Sequence, residues 1–275
     1  MNTFHKIILL ATILGISQKS QSQFYIGASV GQYELQDNVP AITKKEKGFS
    51  LKTGYVKMFS KEIGLGLGLE YVEYNQNVLP TSNFSSATYL VDSVNSAFEY
   101  RLNVTQYEEL QNMSALQIPL FIQYKTLVNK GIYLYTRVGA KYMMPQKFET
   151  SATASKVTVS GYYPDFNLLI TDLPSRGFGT QTGYSQTGTY ATTNVFLGSL
   201  EFGFIYPIAK KSKIYVGLYI DKSTKSIIAN NDKNSIIGFN PNEISNRPVN
   251  GIYSINKSVE VKPLNFGLTI SYGFE

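Results

Sequence analysis

The chain ends PLNFGLTISYGFE, and its apolar and polar residues alternate without a break. Leu264, Phe266, Leu268, Ile270, Tyr272 and Phe274 share one parity, and Asn265, Gly267, Thr269, Ser271 and Gly273 share the other. Strict alternation of this kind predicts a β-strand with one apolar and one polar face. The pattern occurs eight times in all, over Phe24–Tyr33, Gly48–Phe59, Ile63–Asn75, Leu116–Lys125, Ile132–Tyr142, Val195–Tyr206, Ile214–Asp221 and this last segment. It is clearest where Ile63, Leu65, Leu67, Leu69 and Tyr71 oppose Gly64, Gly66, Gly68 and Glu70. Each segment is close to the roughly 9–11 residues of a tilted membrane-spanning strand.

The connections alternate as well. Ser60–Lys61, Thr126–Gly131 and Pro207–Lys213 are short, whereas Gln36–Lys47, Gln76–Ala115, Met143–Asn194 and Lys222–Lys262 are longer, three of them much longer. In an antiparallel meander, successive turns lie at opposite ends. The short turns therefore gather at one end with both termini, and the long connections gather at the other. The predicted fold is all-β: an eight-stranded antiparallel up-and-down transmembrane β-barrel with short periplasmic turns and long extracellular loops.

Which face is wet follows from the polar positions, which are largely Gly and Ser. The interior of an eight-stranded barrel is only just wide enough for side chains. The small polar face is expected inside, with the apolar face against lipid. Gly66 then reads as a tolerant lumen position and Leu67 as a lipid-facing one. Phe24, Phe59, Tyr124, Tyr206 and Phe274 fall near the short-turn end, and Tyr71, Tyr142 and Phe196 near the other, as interfacial girdles would.

Composition agrees with this picture. Charged residues make up 16% of the chain, with 21 Tyr, 16 Phe, no Trp and no Cys. Without Cys there are no disulfides, thiolate metal sites or lipoprotein anchor. Lys6 followed by the apolar run Ile7–Ile16 and a polar SQKSQSQ reads as a secretory leader over residues 1–22, leaving 23–275 as the barrel domain. The apolar run is far short of the roughly 20 residues a spanning helix needs. Loss of the leader's Lys6 and Lys19 lowers the formal net charge from +6 to +4, too mild a charge to indicate nucleic acid.

The only histidine is His5, inside the leader. Serine–histidine triads, histidine metal sites and cysteine nucleophiles are thereby excluded from the mature chain, and no catalytic, cofactor or metal site is expected. The repeating glycines of GLGLGLE have period two, so they mark a strand and not a phosphate loop. Six charged residues point inward by parity: Lys52, Glu70, Arg137, Lys141, Glu201 and Asp221. They suit an acid–base pair or a gated ion path on one reading, and a salt-bridge network that plugs the lumen on the other. The second is favoured because charges in a narrow bore must pair. Arg137 is expected to pair with Glu201, on the adjacent strand, in preference to Glu70. Met143–Asn194, rich in Gly, Ser, Thr and Tyr, reads either as a binding surface or as a solvated, partly disordered loop.

The segments ALQIPLFIQYK (Ala115–Lys125), GIYLYTRVGAKY (Gly131–Tyr142), SLEFGFIYPI (Ser199–Ile208) and the terminal LNFGLTISYGFE carry a resemblance. Across essentially the whole mature chain, the protein resembles small outer-membrane barrels of the OmpX and OmpA type. It is most similar to the Bacteroidetes outer-membrane β-barrel group that includes PorT-like proteins. The resemblance implies the outer membrane of a Gram-negative bacterium, with termini in the periplasm. It also implies contact with outer-membrane lipid, lipopolysaccharide and the barrel assembly machinery, and a surface protein or glycan ligand at the loops. Three functions are open at this point: a non-enzymatic barrel with an envelope-structural, surface-interaction or secretion-accessory role; a narrow conduit or lateral-passage transporter for small apolar solutes; and a secreted lipocalin-like binder. The last needs an apolar interior and a charged exterior.

Overall fold

Alternation closes into a ring in a computed structural model that describes residues 22–275, apart from 40, 46, 81–82, 93, 130, 230–234 and 256. The leader assigned to residues 1–22 lies outside the described residues, save for Ser22. The strands are β1 (Ser22–Asp37), β2 (Ala41–Lys45), β3 (Lys47–Met58), β4 (Ile63–Pro80), β5 (Phe84–Val91), β6 (Ala97–Thr105), β7 (Glu108–Asn129), β8 (Ile132–Tyr163), β9 (Leu168–Ile170), β10 (Gly179–Thr189), β11 (Val195–Ala209), β12 (Ser212–Ser223) and β13 (Val261–Phe274). Eight of them pair antiparallel in the order β1, β3, β4, β7, β8, β11, β12, β13, and β13 returns to β1. Closure satisfies the backbone of every ring strand and leaves no edge in this part of the molecule.

The faces sort as the parity requires. Along β13, Phe266, Leu268, Ile270, Tyr272 and Phe274 are exposed, while Asn265, Thr269 and Ser271 are buried. Phe24, Ile26 and Val30 of β1, Leu67 and Leu69 of β4, and Phe196, Phe202 and Phe204 of β11 continue the exposed apolar surface around the ring. A run such as Phe266–Phe274, at about 3.3 Å per residue and tilted about 40°, is about 23 Å tall, close to the apolar band of a membrane barrel. Aromatic contacts mark both rims. The Phe24 ring lies 5.0 Å from that of Tyr55 and 5.9 Å from that of Phe274, and Tyr142 lies 5.0 Å from Phe196.

The reading of Gly66 as a tolerant position needs correction. A Cβ there would come within 2.2 Å of the Phe121 ring. The lumen is filled by large rings packed onto glycine backbone, and it is not lined by spare small residues. Three substitutions test the facing together in urea-dependent refolding into lipid. Leu67→Arg is expected to cost about 2–4 kcal/mol, as a charge placed against lipid near mid-depth does. Gly66→Ser is expected to cost about 1–3 kcal/mol through overpacking. Ser29→Ala, which deletes only the lumen hydrogen bond to Thr269 (3.1 Å), should cost about 1 kcal/mol. A Leu67→Arg variant as stable as Ser29→Ala would deny the facing.

The larger difference lies in the long connections. β4 has 18 residues, β7 has 22 and β8 has 32, so these strands run well past the apolar belt. Above it β6, β9 and β10 pair with β8, β5 pairs with β6, and β2 pairs with β4. The solvated-loop reading of Met143–Asn194 is therefore corrected: most of the segment is strand with an alternately buried face. Its buried residues, including Phe148, Ala152, Val157, Val159, Phe178 and Tyr184, share one core with Phe98, Tyr100, Leu102 and Val104 of β6 and with Ile227, Ile236, Ile237, Val249, Ile252 and Tyr253. Thr, Tyr and Val are good strand formers even where hydroxyls make a segment look polar. The short turns tighten as well, since β7 runs to Asn129 and β8 begins at Ile132.

Candidate functional site

The six charged residues expected inside the barrel are all buried, none more than 9% exposed, and the structure gathers them into two clusters. In the first, Glu201 sits directly opposite Arg137 across the β11–β8 ladder. Arg137 Nη1 donates to Glu201 Oε1 at 3.0 Å, Lys52 Nζ donates to Glu201 Oε2 at 2.9 Å, and the Tyr135 hydroxyl donates to Oε1 at 2.8 Å. Arg137 Nε donates to Gln123 Oε1 at 2.9 Å. The guanidinium is ringed by aromatics, 4.9 Å from the Tyr25, Phe121 and Tyr215 centroids and 5.2 Å from Tyr135. Cation–π attraction of this kind strengthens in a desolvated site.

In the second cluster, Lys141 Nζ donates to Glu70 Oε2 at 2.6 Å and to Asp221 Oδ2 at 2.8 Å, and Ser50 Oγ donates to Glu70 Oε1 at 2.5 Å. Lys52 and Glu70 are opposite each other across the β3–β4 ladder, yet Lys52 has its ion pair across the bore, with Glu201 of β11, and Glu70 has its own with Lys141 of β8, two strands further round the ring. One cluster carries two cations and one anion, the other one cation and two anions, so the six charges balance. The cavity left among Tyr25, Lys52, Glu70, Phe121, Arg137 and Glu201 is about 30 Å³, room for no more than a few waters.

Above the charges, Tyr33 packs edge-on to Tyr74, with 5.6 Å between centroids. Beyond these rings lies a polar knot that was not singled out from the sequence. Glu109 of β7 is fully buried. It accepts from the Tyr107 hydroxyl at 2.6 Å, Gln111 Nε2 at 2.7 Å, the Ile252 backbone N–H at 2.7 Å and the Tyr190 hydroxyl. Burial first, and the Glu109 charge second, pushes the Tyr107 and Tyr190 phenols well above their ordinary value, so both remain protonated donors. Gln76 Nε2 donates to the Tyr253 hydroxyl at 2.7 Å, which in turn donates to Asp37 Oδ2 at 3.2 Å. Tyr253 belongs to the buried 3-10 turn Ile252–Ser254, and these bonds hold that turn over the barrel mouth. The signal for Glu109 was present: stepping back by twos from the inward Gln117 gives Ala115, Met113, Gln111 and Glu109.

Arg247, also fully buried, ties the segment after β12 to the start of β10. Its Nη2 donates to the carbonyls of Gly177 and Gly179 at 3.1 and 3.2 Å, and the Tyr184 hydroxyl donates to the Arg247 carbonyl at 3.1 Å. Among the described residues no group of three or more metal-ligating side chains is close enough to hold an ion.

No protein-family model matches the chain, and no curated protein matches it. Among solved structures it is similar to Neisserial surface protein A, at 9% identity over 91% of this chain and 96% of that one, with a TM-score of 0.38. It is similar to the outer membrane protein OprG from Pseudomonas aeruginosa, at 12% identity over 93% and 97%, with a TM-score of 0.41. It is also similar to Ail, the attachment invasion locus protein of Yersinia pestis, at 13% identity over 94% and 100%, with a TM-score of 0.33.

Proposed function

We propose that the chain is a non-enzymatic outer-membrane barrel, sealed to solutes, that presents a folded β extension at the cell surface for an envelope-structural or interaction role. The carrying observation is the combination of an apolar exterior belt, a balanced and buried charge network inside it, and a hydrophobically cored extension at the long-connection end. The belt suits lipid, and its rims suit lipid headgroups and lipopolysaccharide. The aromatic terminal strand suits recognition by the barrel assembly machinery. The PorT-like kinship and a secretion-accessory role draw their support from the strand motifs of the sequence.

The conduit reading finds little support, because Arg137, Lys141 and the rings around them fill the bore and Ile252–Ser254 covers its mouth. The lipocalin-like reading needs the opposite chemistry on both faces. In the proposed orientation the termini and short turns are periplasmic. Trypsin added to intact cells should therefore cut at exposed Arg176 and Lys225 and spare Lys210 and Lys211, which are equally exposed on the molecule. Cleavage at Lys210 or Lys211 in sealed cells, with Arg176 intact, would mean that the barrel sits the other way up.

A further inference from the structure

We propose that the free edge of β5 docks an extended polypeptide segment, which adds to the sheet of the extension as one more strand. The proposal rests on the reading of the extension as a surface-interaction module.

An unpaired sheet edge presents a row of backbone donors and acceptors, and proteins normally blunt it with lysine or proline, with brevity, or with a cover. The ends of this sheet follow that rule at three of four places. Among the described residues β2 (AITKK) pairs only with β4, is five residues long and carries the exposed Lys44. β9 is three residues long. β10 is covered along its outer side, where Gln181 and Gln186 both donate to the Ser245 carbonyl and Gly188 packs against Val249. β5 is the exception. It pairs with β6 alone, in unbroken register over all eight residues, and its sequence FSSATYLV has no charge, Pro or Gly. Among the described residues, nothing bonds to its outer backbone groups. Tyr89 and Val91, on its open face, are 75% and 63% exposed.

A groove of about 920 Å³ runs along this edge, between Ala87–Val91 and a wall that includes Tyr100, Ile237, Phe239, Pro241 and Pro248. The wall is braced from within. The Tyr100 hydroxyl donates to the Ile237 carbonyl at 3.1 Å, and the Tyr100 and Phe239 rings meet edge-on at 5.6 Å. Its prolines offer apolar contact and no N–H. The wall also carries Ser235, Gly238 and Asn250, but the Gly238 and Asn250 N–H groups are already bonded to the Pro248 and Ile236 carbonyls, so an occupant would find open main-chain partners along β5 and a mainly apolar surface for alternate side chains opposite. That is the chemistry of strand addition, in which backbone bonds provide affinity and side-chain pockets provide choice.

A second copy of the chain fits less well. Two copies in one membrane point the same way, so their two-fold axis lies along the membrane normal. Antiparallel self-pairing of β5 needs an axis perpendicular to the strand. β5, however, pairs antiparallel with β6, and β6 with β8, a single strand that continues from the barrel wall through one bulge at Gln146 and so keeps the strand direction of the wall.

The test uses the full-length protein in detergent micelles and a fluorescent octapeptide of alternating Val and Thr, with the same peptide N-methylated at every residue as control. Saturable binding of the first is expected, with the methylated peptide weaker by about tenfold or more. Successive residues of a strand direct their N–H groups to opposite edges. Of Ala87→Pro and Thr88→Pro, one therefore removes a donor toward β6 and the other a donor toward the groove. The second should lose the peptide about tenfold or more while keeping native circular dichroism, since proline is tolerated on an edge. The proposal is overturned if no saturable binding occurs up to about 1 mM. It is also overturned if the methylated peptide binds equally, or if only a peptide of the β5 sequence binds and the protein itself dimerises through β5. Tyr89→Cys, labelled on intact cells with an impermeant maleimide, separates this from the surface reading. A thiol unlabelled on cells yet reactive in micelles would contradict the surface orientation without touching the peptide result.

Discussion

Glu201→Gln is expected to be the most damaging single substitution in the lumen. Its carboxylate is held by Lys52, Arg137 and the Tyr135 hydroxyl, and among the described residues no other carboxylate bonds to either cation. Neutralising it strands two buried positive charges at once. Breaking a buried pair in this way typically costs about 3–5 kcal/mol, and the loss should appear as a lower urea midpoint for refolding into lipid vesicles. Arg137→Met should cost less, because Lys52 and Glu201 remain as a neutral pair. Combining it with Glu201→Gln should cost less than the sum of the two single changes, as for residues in direct contact. Strict additivity would mean that the ion pair does not contribute in the folded barrel.

Lys141→Met is the mirror case. It leaves Glu70 and Asp221, both buried and both bonded to Lys141, without their shared cation. A loss of about 3–5 kcal/mol is again expected at neutral pH. The two variants should part company on acidification. A proton can discharge a stranded carboxylate but not a stranded guanidinium. In the Lys141→Met protein the folded state can take up protons that relieve it, so its deficit should shrink as pH falls. In the Glu201→Gln protein no stranded group can be discharged by a proton, and the deficit should persist down to about pH 5, above the range in which the parent's own carboxylates titrate. Parallel pH profiles for the two variants, referred to the parent chain, would contradict the division into two clusters.

How far the sequence revealed this molecule depended on the span over which one rule held. Inside the belt a single rule operates, apolar out and small or charged in. Parity along Ile63–Asn75 or Leu264–Phe274 therefore located both faces and all six lumen charges. Adjacency along the chain also indicated Arg137 with Glu201. The same reasoning does not reach the other partners: Lys52 and Glu70 are ladder neighbours, yet Lys52 reaches Glu201 on the far wall and Glu70 reaches Lys141 two strands round the ring. Gly66 was misread for a related reason. Parity shows that a glycine faces inward, but not that a neighbouring ring occupies the space a side chain would need.

Above the belt the rule changes. Lipid no longer demands an apolar outer face, and strands there bury Val and Ala on one side and turn Thr and Ser to the other, as along residues 152–160. Such segments have the composition of a loop and the alternation of a strand. Met143–Asn194 is ambiguous on composition, and its inward parity does not carry through: it runs over Arg137, Lys141 and Met143, shifts at a bulge at Gln146 to Phe148, Ala152 and Ala154, and shifts back at Val157 and Val159. Glu109 differs: inward parity does reach it from Gln117, but it lies beyond the point where the apolar alternation of β7 fades.

The central claim is that the apolar face of the ring meets lipid. The chain has no cysteine, so single thiols can be placed without altering the background. Nitroxides attached one at a time at Leu264→Cys, Phe266→Cys, Leu268→Cys, Ile270→Cys, Tyr272→Cys and Phe274→Cys, in protein reconstituted into vesicles, would report collisions with lipid-soluble oxygen and with a water-soluble nickel chelate. Oxygen collisions are expected to peak at positions 268 and 270 while nickel collisions fall there to a minimum and rise toward 264 and 274. Uniformly high nickel accessibility across all six positions would place this face in water and contradict the membrane barrel.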